Sequence, residues 1–369
     1  MLVLRLSANL STKFFYSFLF LPISKIPKMA PQESGGGGGG SDNGMKNQLP
    51  NSSVMSREQK TVGVMDASGS LGSELVKKLL QRGYFVHAAL QSHSKGKLQS
   101  MKVQCTGDEK QNLKIFHADL LDYHSILDTL SGCSALFYIF EPPFEHPIYD
   151  EHMADIEVRA AHNVLEACAQ TPTIEKVIFT SSATAVVWTD TRDGASSYCD
   201  VDEKSWSDIN FCKKFKLWHA LSKTLAEKTA WALAMDRGVS MVSVNGGLLL
   251  DNNLRKTSAA HPAANNSIQS FPSYLKGAAE MYENGVLVAV DLWFLVDAHI
   301  CIFEEVSSYG RYLCFNHVIN CHKDAVKLAS MFMSSPPQSS EDTRVYPQRI
   351  SNKKLNELMV NFNGQFQLH

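Results

Sequence analysis

The sequence lacks any strong bias of charge: 35 basic residues face 37 acidic ones, for a formal net of -2. That balance removes a general attraction to nucleic acid or to an anionic membrane. Its eight cysteines are scattered and form no C-x-x-C pair, so neither a zinc site nor a disulfide framework finds support, and reduced thiols are expected. No internal repeat is visible, and no apolar run is long enough to span a bilayer. With 44% hydrophobic and 20% charged residues, the chain has an ordinary globular composition with enough apolar material for a core. A fibrous, coiled-coil, membrane-spanning or DNA-binding protein is excluded, leaving an enzyme of cytosolic type or a relative of one.

The first 28 residues hold no acid, four basic residues (Arg5, Lys13, Lys25 and Lys28) and a short apolar stretch over 14–22. Two readings stand: a signal or transit peptide, which would direct the chain to an organelle, or an upstream extension with Met29 as the effective start. The absence of a small-residue cleavage site after the apolar run favours the extension and a cytoplasmic protein. From Ser34 to about Gln59 the chain is rich in Gly, Ser and Asn, with six consecutive glycines from Gly35 to Gly40. Such a stretch buries nothing and is expected to be a flexible coil. Residues 1–59 are therefore read as a disordered extension and linker.

From Lys60 the pattern alternates. Thr61-Val62-Gly63-Val64-Met65 reads as a strand, followed by a turn of small residues, 66–72. Leu75, Val76, Leu79 and Leu80 then repeat on one helical face, and Gly83 stops that helix at its C′ position. Residues 84–90 form the next strand, closing one βαβ unit. Further strands are predicted at 113–117, 135–139, 176–180 and 241–244, with helices at 156–169 and 218–236. Strands apolar along their length and separated by helices imply a parallel sheet covered on both faces. The fold class is α/β, a doubly wound Rossmann-type sheet over 60–245, with a smaller C-terminal substrate lobe over 246–369 interleaved with it.

In such a sheet the first βα turn faces the ligand crevice, and glycine lets the backbone approach a pyrophosphate at the helix N-terminus. Here the expected G-x-x-G-x-x-G reads Asp66-x-x-Gly69-x-x-Gly72. Aspartate tolerates a left-handed backbone, so the turn can survive, but an inward carboxylate would weaken diphosphate binding.

Two later segments carry a resemblance. Thr180-Ser181-Ser182 ends a strand, and Trp218-His219-Ala220-Leu221-Ser222-Lys223 opens a long helix. With the Asp-Ala-Ser-Gly turn, Asp119-Leu120 after the third strand, and Gly310-Arg311-Tyr312-Leu313-Cys314 late in the chain, the sequence resembles the extended short-chain dehydrogenase/reductase family. It is most similar there to plant cinnamoyl-CoA reductase-like and dihydroflavonol reductase-like proteins. The resemblance implies hydride transfer between NADP(H), with NAD not excluded, and a carbonyl of an aromatic small molecule: an aldehyde, ketone or CoA thioester of phenylpropanoid type. It assigns the catalytic serine to Ser182 and the lysine to Lys223. The turn residues Asp66, Ser68, Gly69, Ser70, Leu71 and Gly72, with Gln91, Asp119, Leu120, Lys223 and Gly246, are implied to face the dinucleotide. No metal, nucleic-acid or membrane partner is expected, and the chain is read as a monomer or homodimer.

The departures are informative. His219 stands where the family has a tyrosine four residues before the lysine, and a phenol beside that cation is the family's proton donor. A histidine there, repelled by the lysine charge, should be mostly neutral and a weak donor, which implies impaired activity. Gln91 replaces an arginine that meets a 2′-phosphate; His87, Lys95 and Lys97 lie nearby. Asn245-Gly246-Gly247 replaces the usual Asn-Pro. The alternative is an inactive relative that binds a dinucleotide or phenolic and acts through protein partners. Aromatic and apolar residues at 268–281, among them Phe271, Tyr274, Leu275 and Met281, are candidates for the acceptor pocket, though ordinary packing explains any one of them.

Overall fold

A computed structural model describes residues 60–91, 111–142, 148–189, 200–251, 272–332 and 343–366. The N-terminal segment through residue 59, Lys95 and Lys97, and Ile268 with Phe271 lie outside the described residues.

Strand β1 (Thr61–Met65) is followed by helix α1 (Ser70–Gln81) and β2 (Phe85–Leu90). Asp66 takes a left-handed φ of 61°, as its place in the turn requires. Gly83, with φ of 85°, closes α1: its N–H donates to the Leu80 carbonyl at 2.9 Å and the Tyr84 N–H to Leu79 at 3.1 Å. Those two bonds satisfy carbonyls the helix end leaves open. The chain continues through β3 (Leu113–His117), α2 (Tyr123–Leu130), β4 (Ala135–Tyr138), α3 (Glu151–Ala169) and β5 (Lys176–Ser182). A short α4 (Ile209–Lys214), the long α5 (Trp218–Arg237) and β6 (Met241–Gly246) complete the alternating part.

Seven strands form one parallel sheet in the order β3-β2-β1-β4-β5-β6-β9, where β9 is Gly310–Cys314. The strand order reverses between β1 and β4, which opens a crevice at their carboxyl ends. Alternation along each strand divides the core. Val62, Val64, Ala135, Phe137 and Ile178 pack with Leu75 and Leu79 of α1. On the opposite face Met65, Leu136, Tyr138, Val177 and Phe179 pack with Val164 of α3 and Ala226 of α5. The sheet is buried on both sides, as the unbroken apolar runs predict.

Beyond β6 the chain forms β7 (Leu248–Leu250), α6 (Ala278–Glu283), β8 (Val288–Asp291), α7 (Leu292–Glu304) and then β9. β10 (His317–Val318), α8 (His322–Phe332) and α9 (Lys353–Phe366) follow. Strands β7, β8 and β10 make a second, three-stranded sheet. A third apolar cluster, with Trp188, Phe211, Leu221, Tyr274, Met281 and Leu328, holds this part together. Gly247 lets β6 run into β7 tightly, since a Cβ there would lie 3.1 Å from the backbone of Ala289. No helix among the described residues is long and apolar enough to cross a membrane.

Candidate active site

Helix α5 presents His219 and Lys223, four residues apart, toward the end of β5. There Ser182 passes into a short 3-10 turn, Ala183–Ala185. The Ser182 Oγ accepts the Thr184 N–H at 3.2 Å and lies 3.1 Å from the Thr184 hydroxyl. That hydroxyl in turn lies 3.0 Å from His219 Nδ1. Ser182 and His219 are thus joined through Thr184, which stands two residues after the Thr-Ser-Ser motif and carries no role in it. Gly246, at the end of β6, pairs in register with Ser182.

His219 is held far below the usual histidine range, at about 3, by burial first and the Lys223 charge second. Lys-driven repulsion was the expected cause; enclosure proves the larger one. The ring is walled by Tyr149, edge-on with centroids 4.7 Å apart, and by Tyr274 at 5.9 Å. It borders a cavity of about 660 Å³ lined by Tyr149, Trp218, Leu275, Tyr282, Leu287 and Phe332, among others. Leu275 lines this cavity, whereas Tyr274 and Met281 are core residues; the Tyr274 hydroxyl donates to the Val288 carbonyl at 3.1 Å. A larger cavity of about 1050 Å³, between α1, α7 and α8, contains none of Ser182, His219 or Lys223.

Lys223 has a partner that the motif reading did not anticipate. Its ammonium donates to Glu157 Oε1 at 2.6 Å, and Ser222 donates to the other carboxylate oxygen. Tyr149 bonds to the same carboxylate, and burial together with that negative charge raises its phenol well above the ordinary range. The rings of Phe140 and Tyr149 flank the ammonium at 5.5 Å and 5.8 Å. Asp150 caps α3 by accepting the Met153 N–H at 2.8 Å, which fixes the helix that carries Glu157. A sequence signal was present. Glu157 falls on the stripe of Met153, Ala154, Ala160, Ala161 and Val164, all buried, and a carboxylate on a buried stripe requires a cation or donors.

At the other end of the crevice, Asp66 is buried and its carboxylate turns to the chain. It accepts from the Ser68 hydroxyl and the Gln91 amide, each at 2.7 Å, and from the Glu141 N–H at 3.1 Å. The Gln91 amide also reaches the Glu141 carbonyl at 3.1 Å. The carboxylate lying against the glycine turn is that of Glu141, since a Cβ placed on Gly69 would collide with it. Gln91, in place of a cation for a 2′-phosphate, is committed to Asp66. Gly72 is required by the turn, because a Cβ there would strike the Asp66 carbonyl. Ser70 donates to Asp251 at 2.6 Å and Leu71 is buried. Asp119 is exposed beyond β3, where its carboxylate accepts the Leu121 N–H at 2.9 Å; Leu120 is buried and its carbonyl accepts from Asn163 at 3.2 Å.

The turn fits the diphosphate of a dinucleotide. Gly69 and Gly72 sit where no Cβ fits and α1 begins with no side-chain cap, as such a seat requires, while the chain's own Glu141 carboxylate rests against Gly69 and would have to give way to a phosphate. Residues 63–282 match the 3-beta hydroxysteroid dehydrogenase/isomerase family. The chain belongs to that family, within the extended short-chain dehydrogenase/reductases. Its members are NAD(P)-dependent oxidoreductases acting on aldehyde and carbonyl groups. Among curated relatives, a cinnamoyl-CoA reductase of Petunia hybrida is 34% identical over 308 residues, covering 82% of this chain and 88% of the relative. A dihydroflavonol 4-reductase of Zea mays is 32% identical, covering 83% and 84%. Among solved structures, vestitone reductase from alfalfa superposes with a TM-score of 0.58 at 22% identity, covering 81% of this chain and 91% of that one. That likeness shows the fold.

Proposed function

We propose that this short-chain dehydrogenase/reductase is an NADP(H)-dependent carbonyl reductase acting on a phenylpropanoid-type aldehyde, ketone or CoA thioester, with activity lowered by His219. The observation that carries this reading is the linked group Ser182, Thr184 and His219 beside an aromatic-lined cavity, with Lys223 one helical turn away. The cavity is in the size range of small-molecule sites, and its rings suit a planar aromatic acceptor. The relatives named as cinnamoyl-CoA reductases and dihydroflavonol 4-reductase support the substrate class.

When bound, the dinucleotide supplies the hydride. The chain's own residues do the rest. The amino end of α1 and the glycine turn hold the diphosphate. The Ser182–Thr184–His219 chain directs a hydrogen bond at the carbonyl oxygen as negative charge develops there. The aromatic wall excludes water and orients the acceptor. Lys223 orients the ribose only to the extent that Glu157 releases it. General acid catalysis supplies roughly 10²–10⁴-fold where a donor is well placed, and a neutral, half-buried imidazole in place of a phenol forfeits part of this.

The test is turnover of purified protein with NADPH against a panel of hydroxycinnamoyl thioesters, cinnamaldehydes and dihydroflavonols. Oxidation of the cofactor above background with at least one class supports the reading, and its absence across the panel overturns it. The Glu157–Lys223 ion pair favours a second reading, a relative that binds a dinucleotide or phenolic without turnover and acts through protein partners. Dinucleotide binding by calorimetry without cofactor oxidation would support that one.

A further inference from the structure

We infer that Thr184 is a positioning residue that joins Ser182 and His219 into one hydrogen-bonded chain with a single transferable proton, so that the site offers a carbonyl oxygen one donor and not two. The inference follows from counting hydrogens. Serine and threonine hydroxyls carry one proton each, and a neutral imidazole carries one N–H. The links from Ser182 to Thr184, at 3.1 Å, and from Thr184 to His219 Nδ1, at 3.0 Å, consume two of these three protons. One is left. If the chain runs from Ser182 through Thr184 to Nδ1, the spare proton sits on His219 Nε2 and the serine has none to give. If it runs the other way, Ser182 keeps the spare proton and Nε2 is a bare acceptor facing its surroundings.

The enclosure of the ring, which keeps His219 neutral across the physiological range, is consistent with this count. The Thr184 N–H bond to Ser182 Oγ fixes the serine's position whichever way the chain runs. The groups facing His219 are Tyr149 and Tyr274 from the elements packed against it and Lys223 from its own helix. Lys223 donates to Glu157, so it does not supply a second proton to the chain.

The kinetic consequence rests on the reading of this crevice as a carbonyl-reducing site; the structural consequence does not. Two measurements keep them apart. Long-range nitrogen–proton correlation spectra of protein labelled in histidine report the state of each His219 nitrogen. Thr184→Val keeps the shape and removes the hydroxyl, and is expected to shift the Nδ1 resonance and change the tautomer balance. Thr184→Ser is expected to restore the wild-type spectrum, and Thr184→Ala repeats the loss if the valine variant folds poorly. In turnover, Thr184→Val is expected to lower kcat about tenfold with KM changed less than about twofold, as for loss of an interaction made in the transition state. Ser182→Ala and His219→Phe, acting on one shared proton, are expected to be no worse together than the worse of the two alone. Unchanged Nδ1 signals in both Thr184→Val and Thr184→Ala would overturn the inference, as would fully additive losses in the double variant. The expected spectra without turnover by any variant would leave the shared chain standing and remove the reductase reading.

Discussion

Helix α5 is gripped by two buried carboxylates, and they show how one kind of interaction serves two ends. Glu227, on α5 itself, is enclosed by Arg311 at 2.8 Å, Ser181 at 2.8 Å, Ser243 at 2.7 Å and Asn245 at 2.7 Å. Burial pushes its carboxyl up, but the Arg311 guanidinium and the hydroxyl donors outweigh this and hold it below the usual range. It ties β5, β6, β9 and α5 into one knot, and Arg311 stacks on Trp206 at 3.7 Å. Glu157, on α3, gathers Lys223, Ser222 and Tyr149 instead. The Glu227 cation is structural and comes from β9. The Glu157 cation is the lysine that the family resemblance assigns to the chemistry. A carboxylate in the scaffold adds rigidity, whereas the one beside Lys223 holds the ammonium that the proposed function would place on the ribose.

Breaking the Glu227 knot gives the largest expected effect. Glu227→Ala leaves the Arg311 cation buried and unpaired, and should lower the unfolding free energy by roughly 3–5 kcal/mol in denaturant titrations. A loss below about 1 kcal/mol would place the knot among marginal ion pairs. The next effect concerns rate. His219→Tyr alone should raise reductase turnover by less than about tenfold, because the Lys223 ammonium stays on Glu157. Combined with Glu157→Gln, which keeps hydrogen-bonding capacity but removes the charge, the gain should move into the 10²–10⁴ range of well-placed general acids. Equal gains in the single and double variants would show that Glu157 does not restrain Lys223.

Acid titration of stability reads two further enclosed groups, His219 on α5 and His299 on α7, whose ring lies 2.8 Å from the Thr180 hydroxyl of β5. His219 and His299 are held neutral by burial, at about 3 and about 4, against an ordinary value of 6.5. Both folded-state values are depressed, so their contribution is complete above pH 6.5 and is lost as pH falls toward 4, where only the unfolded chain takes up the protons. Each should add a slope of up to about 1.4 kcal/mol per pH unit in that window, and His219→Gln should remove its share. The smallest effect lies at the glycine turn. Glu141→Gln removes a negative charge from the diphosphate seat and should tighten NADPH binding by roughly three- to tenfold in calorimetry. It should also cost the amino end of α1 a few tenths of a kcal/mol of favourable charge–dipole interaction.

The scaffold was legible in the sequence because its signals are local. The runs at 61–65 and 176–180 are strands because both faces of the sheet are covered, the second extending to Ser182, and Gly83 and Asp66 adopt the positive φ their positions imply. The site was legible only in outline. Ser182, His219 and Lys223 are brought to one place, but the groups that decide their behaviour come from elsewhere in the chain. Glu157 is 66 residues from Lys223, Thr184 is 35 from His219, and Glu141 is 75 from Asp66. Each replaces a local expectation with a tertiary contact: the Lys223 charge is met by α3, and the carboxylate over the turn is carried by the residue after β4 and Phe140 rather than by Asp66. Only Glu157 announced itself, as a charge on a buried helical stripe.

Hydride transfer itself is the most direct measurement. NADPH deuterated at the transferable position of C4, incubated with the protein and a cinnamaldehyde or hydroxycinnamoyl thioester, reports even a slow reaction by mass spectrometry of the product. One deuterium at the former carbonyl carbon, appearing faster with the His219→Tyr and Glu157→Gln double variant, is the expected result. Product free of deuterium from every acceptor in the panel, in a protein that binds NADPH, would contradict it.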